Sequence, residues 1–216
     1  MDRRYALGVI GAAAVIGGAY ALTGRPDGLP PLAAFAEGAG DPAMVTEMTL
    51  GNPDAKVTLM EYASFTCPHC ANFHNGPLKK VKTEYVDTGK VRFVYRDVYF
   101  DRPGLWAAMV ARCDESKFFG ISDLLYADQK AWIGSGDSSV IVENLRKTGR
   151  IAGLTEEQLD TCLNDGEKAQ ALYTRYQENI KADDVESTPT LFINGTKHSN
   201  MNYDDLKALL DKALEG

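Results

Sequence analysis

The stretch Lys56-Val57-Thr58-Leu59-Met60-Glu61-Tyr62-Ala63-Ser64-Phe65-Thr66-Cys67-Pro68-His69-Cys70 decides the fold. Lys56 to Phe65 is rich in Val, Leu, Met, Tyr and Phe and reads as a buried strand. Pro68 to Thr88 then places Phe73, Leu78, Val81 and Tyr85 on one helical face, with Gly89 as the stop. Gly76-Pro77 lies inside that helix and is expected to kink or break it, because proline has no N–H and its ring clashes with the preceding turn. Val91 to Val98 follows as a second strand, with Val91, Phe93 and Tyr95 on one face. A strand–helix–strand unit over residues 56–98 makes the two strands parallel.

Cys67 and Cys70 sit at the start of the helix, where a small disulfide ring can close. Pro68 suits the first helical position. The Cys67 sulfur then meets unpaired backbone N–H groups and the positive end of the helix dipole, which favours a thiolate. Cys70, one turn on and more buried, is placed to resolve a mixed disulfide with Cys67. His69, when protonated, further favours the Cys67 thiolate. A stabilised thiolate stabilises the reduced form and makes the couple more oxidising.

Three rival readings use the same residues. Cys67, Cys70 and His74 follow a C-x2-C-x3-H spacing that suits zinc or copper, but a closed zinc site takes four ligands, no second cysteine pair is near, and beyond His69 and His74 the one further histidine is His198, so no metal site is expected. Covalent haem would need histidine at position 71, which is Ala71. A purely structural Cys67–Cys70 bridge would constrain the unfolded chain little.

Outward from this unit, Val45–Leu50 reads as a short edge strand and Asn52-Pro53-Asp54 as a turn. Residues 103–182 read as helical throughout. Pro103 starts one helix, with Trp106, Met109, Val110 and Cys113 on a face. Others run from Ser116 to Trp132 and from Ser138 to Thr148, Thr155 opens a fourth with a capping box through Gln158, and the last buries Ala169, Leu172, Tyr173, Tyr176 and Ile180. Thr190–Ile193, Asn194-Gly195 and Thr196–Ser199 form a hairpin, and Asn202 caps a final helix with Leu206, Leu209, Leu210 and Leu214 as its stripe.

Asp2-Arg3-Arg4, an uncharged stretch over residues 5–22 and Ala34-Phe35-Ala36 read as an export signal, cleaved or retained as an anchor. With Arg3 and Arg4 kept inside, either version carries the rest of the chain out of the cytoplasm. The net charge of −7 and the absence of a basic stripe argue against a nucleic-acid partner.

Cys67-Pro68-His69-Cys70 after a strand, with Ser187-Thr188-Pro189-Thr190-Leu191 much later, resembles the DsbA-type periplasmic thiol:disulfide oxidoreductases over roughly residues 45–216. The resemblance implies an α/β, thioredoxin-like fold with an inserted α-helical domain. Its parts would be residues 1–36 (signal or anchor), 37–100 (first half), 101–184 (helical insertion) and 185–216 (second half). It implies that Cys67, Cys70, His69 and Pro68 form the catalytic motif and that Pro189 is a cis-proline. Thr188 would pair with an extended substrate segment, Glu61 would relay a proton to Cys70, and Cys113 and Cys162 would form a second disulfide. The family's disulfide oxidases give a disulfide to reduced exported proteins and are re-oxidised by a DsbB-type membrane quinone reductase. No cofactor is implied, and with no dimerisation module a monomer is expected. Thr188 stands where proofreading or isomerase members often have threonine, which keeps a reductase or isomerase role open.

Overall fold

In the computed structural model, residues 40–134 and 136–216 are described. The expected signal or anchor, over residues 1–36, lies outside them. Five strands form one sheet: β1 (Met48–Leu50), β2 (Val57–Ala63), β3 (Val91–Asp97), β4 (Thr190–Ile193) and β5 (Thr196–Ser199). Their order is β1-β3-β2-β4-β5. β2 and β3 are parallel, as the strand–helix–strand reading requires, with Glu61 opposite Tyr95. The other pairs, β1 with β3, β2 with β4 and β4 with β5, are antiparallel.

The period of two along the strands divides the sheet into two faces. Val57, Leu59 and Ala63 of β2, Val91, Phe93 and Tyr95 of β3, and Leu191 and Ile193 of β4 belong to the main core. Glu61 shares this face and is fully buried. On the other face Tyr62, Phe192 and Val98 make a smaller cluster, against which Tyr176 and Ile180 pack.

The helix after β2 does break at Gly76-Pro77. α1 (Pro68–Asn75) ends there, and α2 (Pro77–Val81) restarts with proline at its first turn and runs into a π-turn over Lys82–Val86. Between β3 and β4 stand α3 (Arg102–Ala111), α4 (Phe118–Ala127), α5 (Gln129–Ile133), α6 (Ser138–Ile151), α7 (Glu156–Leu163) and α8 (Gly166–Ala182). α3 is buried on every side from Gly104 to Ala111, so it forms the axis of this helical insertion. At Gly149 a Cβ would stand 2.6 Å from Leu159, so glycine lets α6 approach α7.

The stretch Ser116–Trp132, read as one helix, is two: the chain turns at Asp128 (φ −108°, ψ 23°) before α5. The capping box at Thr155 and Gln158 is formed, as read. So is the Asn194-Gly195 turn, in which both residues have positive φ and the Asn194 side chain accepts from Thr58 N–H at 2.8 Å. α9 (Tyr203–Glu215), capped by Asn202, closes the chain with Leu206 and Leu210 in the main core. Among the described residues no helix is long and apolar enough to cross a membrane.

Candidate active site

Cys67 is the N-cap of α1 and keeps extended backbone angles (φ −80°, ψ 119°), with Pro68 just inside the helix. This is the geometry in which unpaired N–H groups converge on the cap. Both cysteines are free thiols and both are buried, Cys70 completely. The peptide bond between Thr188 and Pro189 is cis, and the Thr188 carbonyl oxygen stands 3.5 Å from Cys67 Sγ. Two segments about 120 residues apart in sequence thus meet at one sulfur.

The two thiols are strongly unequal. The hydrogen bond from Cys70 brings the Cys67 pKa down to about 5, helped by the Thr188 side chain and by the N–H groups of Cys70 and His69, with burial acting in opposition. The Thr188 hydroxyl is buried without any other partner, so it is free to serve the thiolate. Cys70 is driven the other way by burial, by its bond to Cys67 and by the charge of Glu61. His69 is exposed, and its backbone N–H is the part of it that acts on Cys67.

Beneath the pair lies a buried polar group that the sequence reading saw only in part. Glu61 is bonded through Oε2 to His74 Nε2 at 2.8 Å, and its Oε1 has no hydrogen-bond partner among the described residues. His74 stacks on Tyr126 with 3.9 Å between ring centroids, and Tyr126 is bonded to Tyr95 at 2.8 Å between hydroxyls. The C-x2-C-x3-H spacing that suggested a metal site has another cause. His74 is one helical turn beyond Cys70 and is turned toward the Glu61 carboxylate. Among the described residues no cluster of three or more potential metal ligands occurs.

A second contact was not anticipated at all. Gln129, the first residue of α5, donates from Nε2 to the carbonyl oxygens of Phe65 at 2.8 Å and Cys67 at 2.9 Å. The break at Asp128 separates Gln129 from α4, and nothing in the sequence around it marks the contact. Alongside α1 runs a groove of about 290 Å³, lined among others by Pro68, Asn72, Tyr126 and Gln129. Cys113 and Cys162 form a disulfide that joins the end of α3 to α7, in the helical insertion.

Comparison with known proteins agrees with this geometry. A family model described as thioredoxin matches residues 43–212. A putative protein-disulfide oxidoreductase of Rickettsia bellii is 33% identical over 171 residues, covering 78% of this chain; the chain spans 65% of that protein's length. Disulfide bond formation protein D of Bacillus subtilis is 27% identical over 190 residues, 82% of this chain and 81% of that one. The crystal structure of Wolbachia pipientis alpha-DsbA1 superposes with a TM-score of 0.73 at 26% identity, over 79% of this chain and 92% of the other. The α/β, thioredoxin-like fold with inserted helices, expected from the motif, is the fold of the chain.

Proposed function

This chain belongs to the thioredoxin family, and on that premise we propose that it is a thiol:disulfide oxidoreductase that introduces disulfides into exported proteins. The observation that carries the reading is the inequality of the two thiols, with Cys67 lowered to about 5 and Cys70 raised. A thiolate that is stable in the dithiol form makes the disulfide the higher-energy partner, and the protein then gives it away readily. A substrate thiolate attacks Cys67, a mixed disulfide forms, and the substrate's second thiolate releases it. Thr188, whose carbonyl stands beside Cys67, pairs through its backbone with an extended substrate segment.

The spent dithiol returns to the disulfide by passing two electrons to a membrane quinone reductase of DsbB type. The working place is the periplasm, reached by the N-terminal signal, with or without retention as an anchor. The relatives named for disulfide bond formation and disulfide oxidoreduction support this reading. Thr188 favours a second reading, a reductase or isomerase on the same site. The deciding experiment is the reduction potential of Cys67–Cys70, equilibrated against glutathione buffers with Trp fluorescence as the readout. A value near about −120 mV supports the oxidase; one near about −270 mV replaces it by the reductase.

A further inference from the structure

We propose that His74 conducts the proton that Cys70 requires, passing it between Glu61 and solvent through a cavity at the far end of α1; this rests on the reading of Cys67–Cys70 as an exchanging pair. The exchange creates the need. When a substrate thiolate attacks Cys67 Sγ, the Cys67–Cys70 bond breaks, a Cys67–substrate bond forms, and the electron pair leaves on Cys70 Sγ. The substrate's second thiolate then attacks the substrate sulfur of the mixed disulfide, and the pair leaves on Cys67. The substrate has lost two electrons and the protein has gained two. Cys67 remains a thiolate, but Cys70 is fully buried and burial disfavours its charge, so it takes up one proton.

Two buried groups, Glu61 and His74, are placed to carry that proton. Glu61 is fully buried on the core face of β2, and its charge acts on Cys70. It has no exposed surface through which to regain a proton once it has given one up. Its Oε2 is bonded to His74 Nε2, so the two share a proton, while Oε1 is left unpaired. His74 is almost completely buried, yet it also lines a cavity of about 360 Å³ with Leu78, Lys79, Lys82, Asp87 and Asp123. Lys79, Asp87 and Asp123 are exposed, so this cavity opens to water. His74 therefore touches the buried acid on one side and a solvent-connected space on the other.

His74 stands in the last turn of α1. The titratable and charged groups around it are Glu61 from β2, Tyr95 from β3 at 5.9 Å between ring centroids, Tyr126 from α4 and Cys70 on its own helix. Lys79, Lys82, Asp87 and Asp123 add to these at the cavity. A purely structural role would be met at less cost by an apolar side chain, because desolvating a carboxylate and an imidazole together is expensive. His74 acts through Glu61 and does not touch the reacting sulfurs, so it is a positioning and relay residue.

The test is the rate at which dithiothreitol reduces the oxidised full chain, followed by Trp fluorescence from pH 4.5 to 8.5. His74→Gln keeps a donor for Glu61 but cannot titrate. It is expected to slow reduction about tenfold or more, short of the roughly 10²–10⁴-fold of a direct acid–base catalyst, and to flatten the pH profile. His74→Gly, checked for folding by circular dichroism, is expected to regain rate on adding imidazole, which the adjoining cavity admits. Wild-type rate and pH profile in His74→Gln would overturn the relay, as would a folded His74→Gly indifferent to imidazole. A wild-type disulfide inert to dithiothreitol would overturn the exchange reading itself, and the relay with it.

Discussion

The side-chain amide of Gln129 holds the carbonyl oxygen of Cys67 at 2.9 Å. The residue that tethers the reactive loop thus comes from the helical insertion, 62 positions away. The same amide holds Phe65, so one side chain satisfies two carbonyls in the turn between β2 and α1. Gln129→Leu removes both bonds inside a buried site. The Cys67 carbonyl keeps its bond from the Ala71 N–H at 3.1 Å, so the Phe65 carbonyl is the group that loses its partner. Denaturant unfolding should show a loss of about 1–3 kcal/mol. Alkylation of Cys67 by iodoacetamide should also slow, because the loop no longer presents the sulfur to the helix N–H groups. Unchanged stability and unchanged alkylation would remove Gln129 from the site.

The reactivity of Cys67 should titrate far below that of an ordinary thiol. Iodoacetamide traps the thiolate, so its rate against pH should rise through a midpoint at about 5. Stability follows from the same shift. The unfolded thiol ionises near about 8.5, so the folded state of the dithiol form gains from Cys67 fully above that pH. That gain is lost as the pH falls through about 5. Cys70, pushed upward, remains protonated in both states below about 8.5 and does not disturb this window. Denaturant melts of the reduced and oxidised forms should therefore differ most near pH 8 and converge near pH 4. A gap independent of pH would show that the Cys67 thiolate does not set it.

How much of this was legible in the sequence depended on range. The β2–α1–β3 unit, the break at Gly76-Pro77, the capping box at Thr155 and the Asn194-Gly195 turn are local and were read from neighbouring residues. The acid at Glu61 was visible as a charge inside an apolar strand. Its partner was not, because His74 lies at a spacing that also suits a metal ligand, and choosing between them needs the third dimension. Gln129 carries no pattern: a glutamine at a helix start is ordinary until its amide is seen to meet two carbonyls of a distant loop. The Ser116–Trp132 stretch misled for the same reason, since its apolar period continues through the break at Asp128.

The helical insertion is fixed to the sheet by a buried ion pair. Arg112, at the end of α3, donates to Asp97 Oδ2 at 3.0 and 2.7 Å and to the Thr46 carbonyl at 2.8 Å. Both side chains are buried. Arg112→Met leaves the Asp97 carboxylate uncompensated and should cost about 3–5 kcal/mol in denaturant unfolding. Arg112→Met combined with Asp97→Leu should recover part of that loss, because it removes the stranded charge as well. A double variant no better than Arg112→Met would mean that packing, not charge, accounts for the loss.

Cys113 and Cys162 close a loop of 49 residues that contains α4, α5 and α6, and so contains Gln129. In the chain-entropy account, cross-linking a loop of this size stabilises the fold by about 4 kcal/mol. Cys113→Ala with Cys162→Ala should lower the unfolding free energy by an amount of that order. The effect on chemistry should be smaller, because neither sulfur touches the Cys67 loop and the Gln129 bonds can form without the bridge. The double variant should keep the Cys67 alkylation midpoint near about 5 while it melts earlier. If the midpoint rose together with the loss of stability, the bridge would be acting on Cys67 through the position of α5, and the stabilising disulfide and the exchanging dithiol would not be independent.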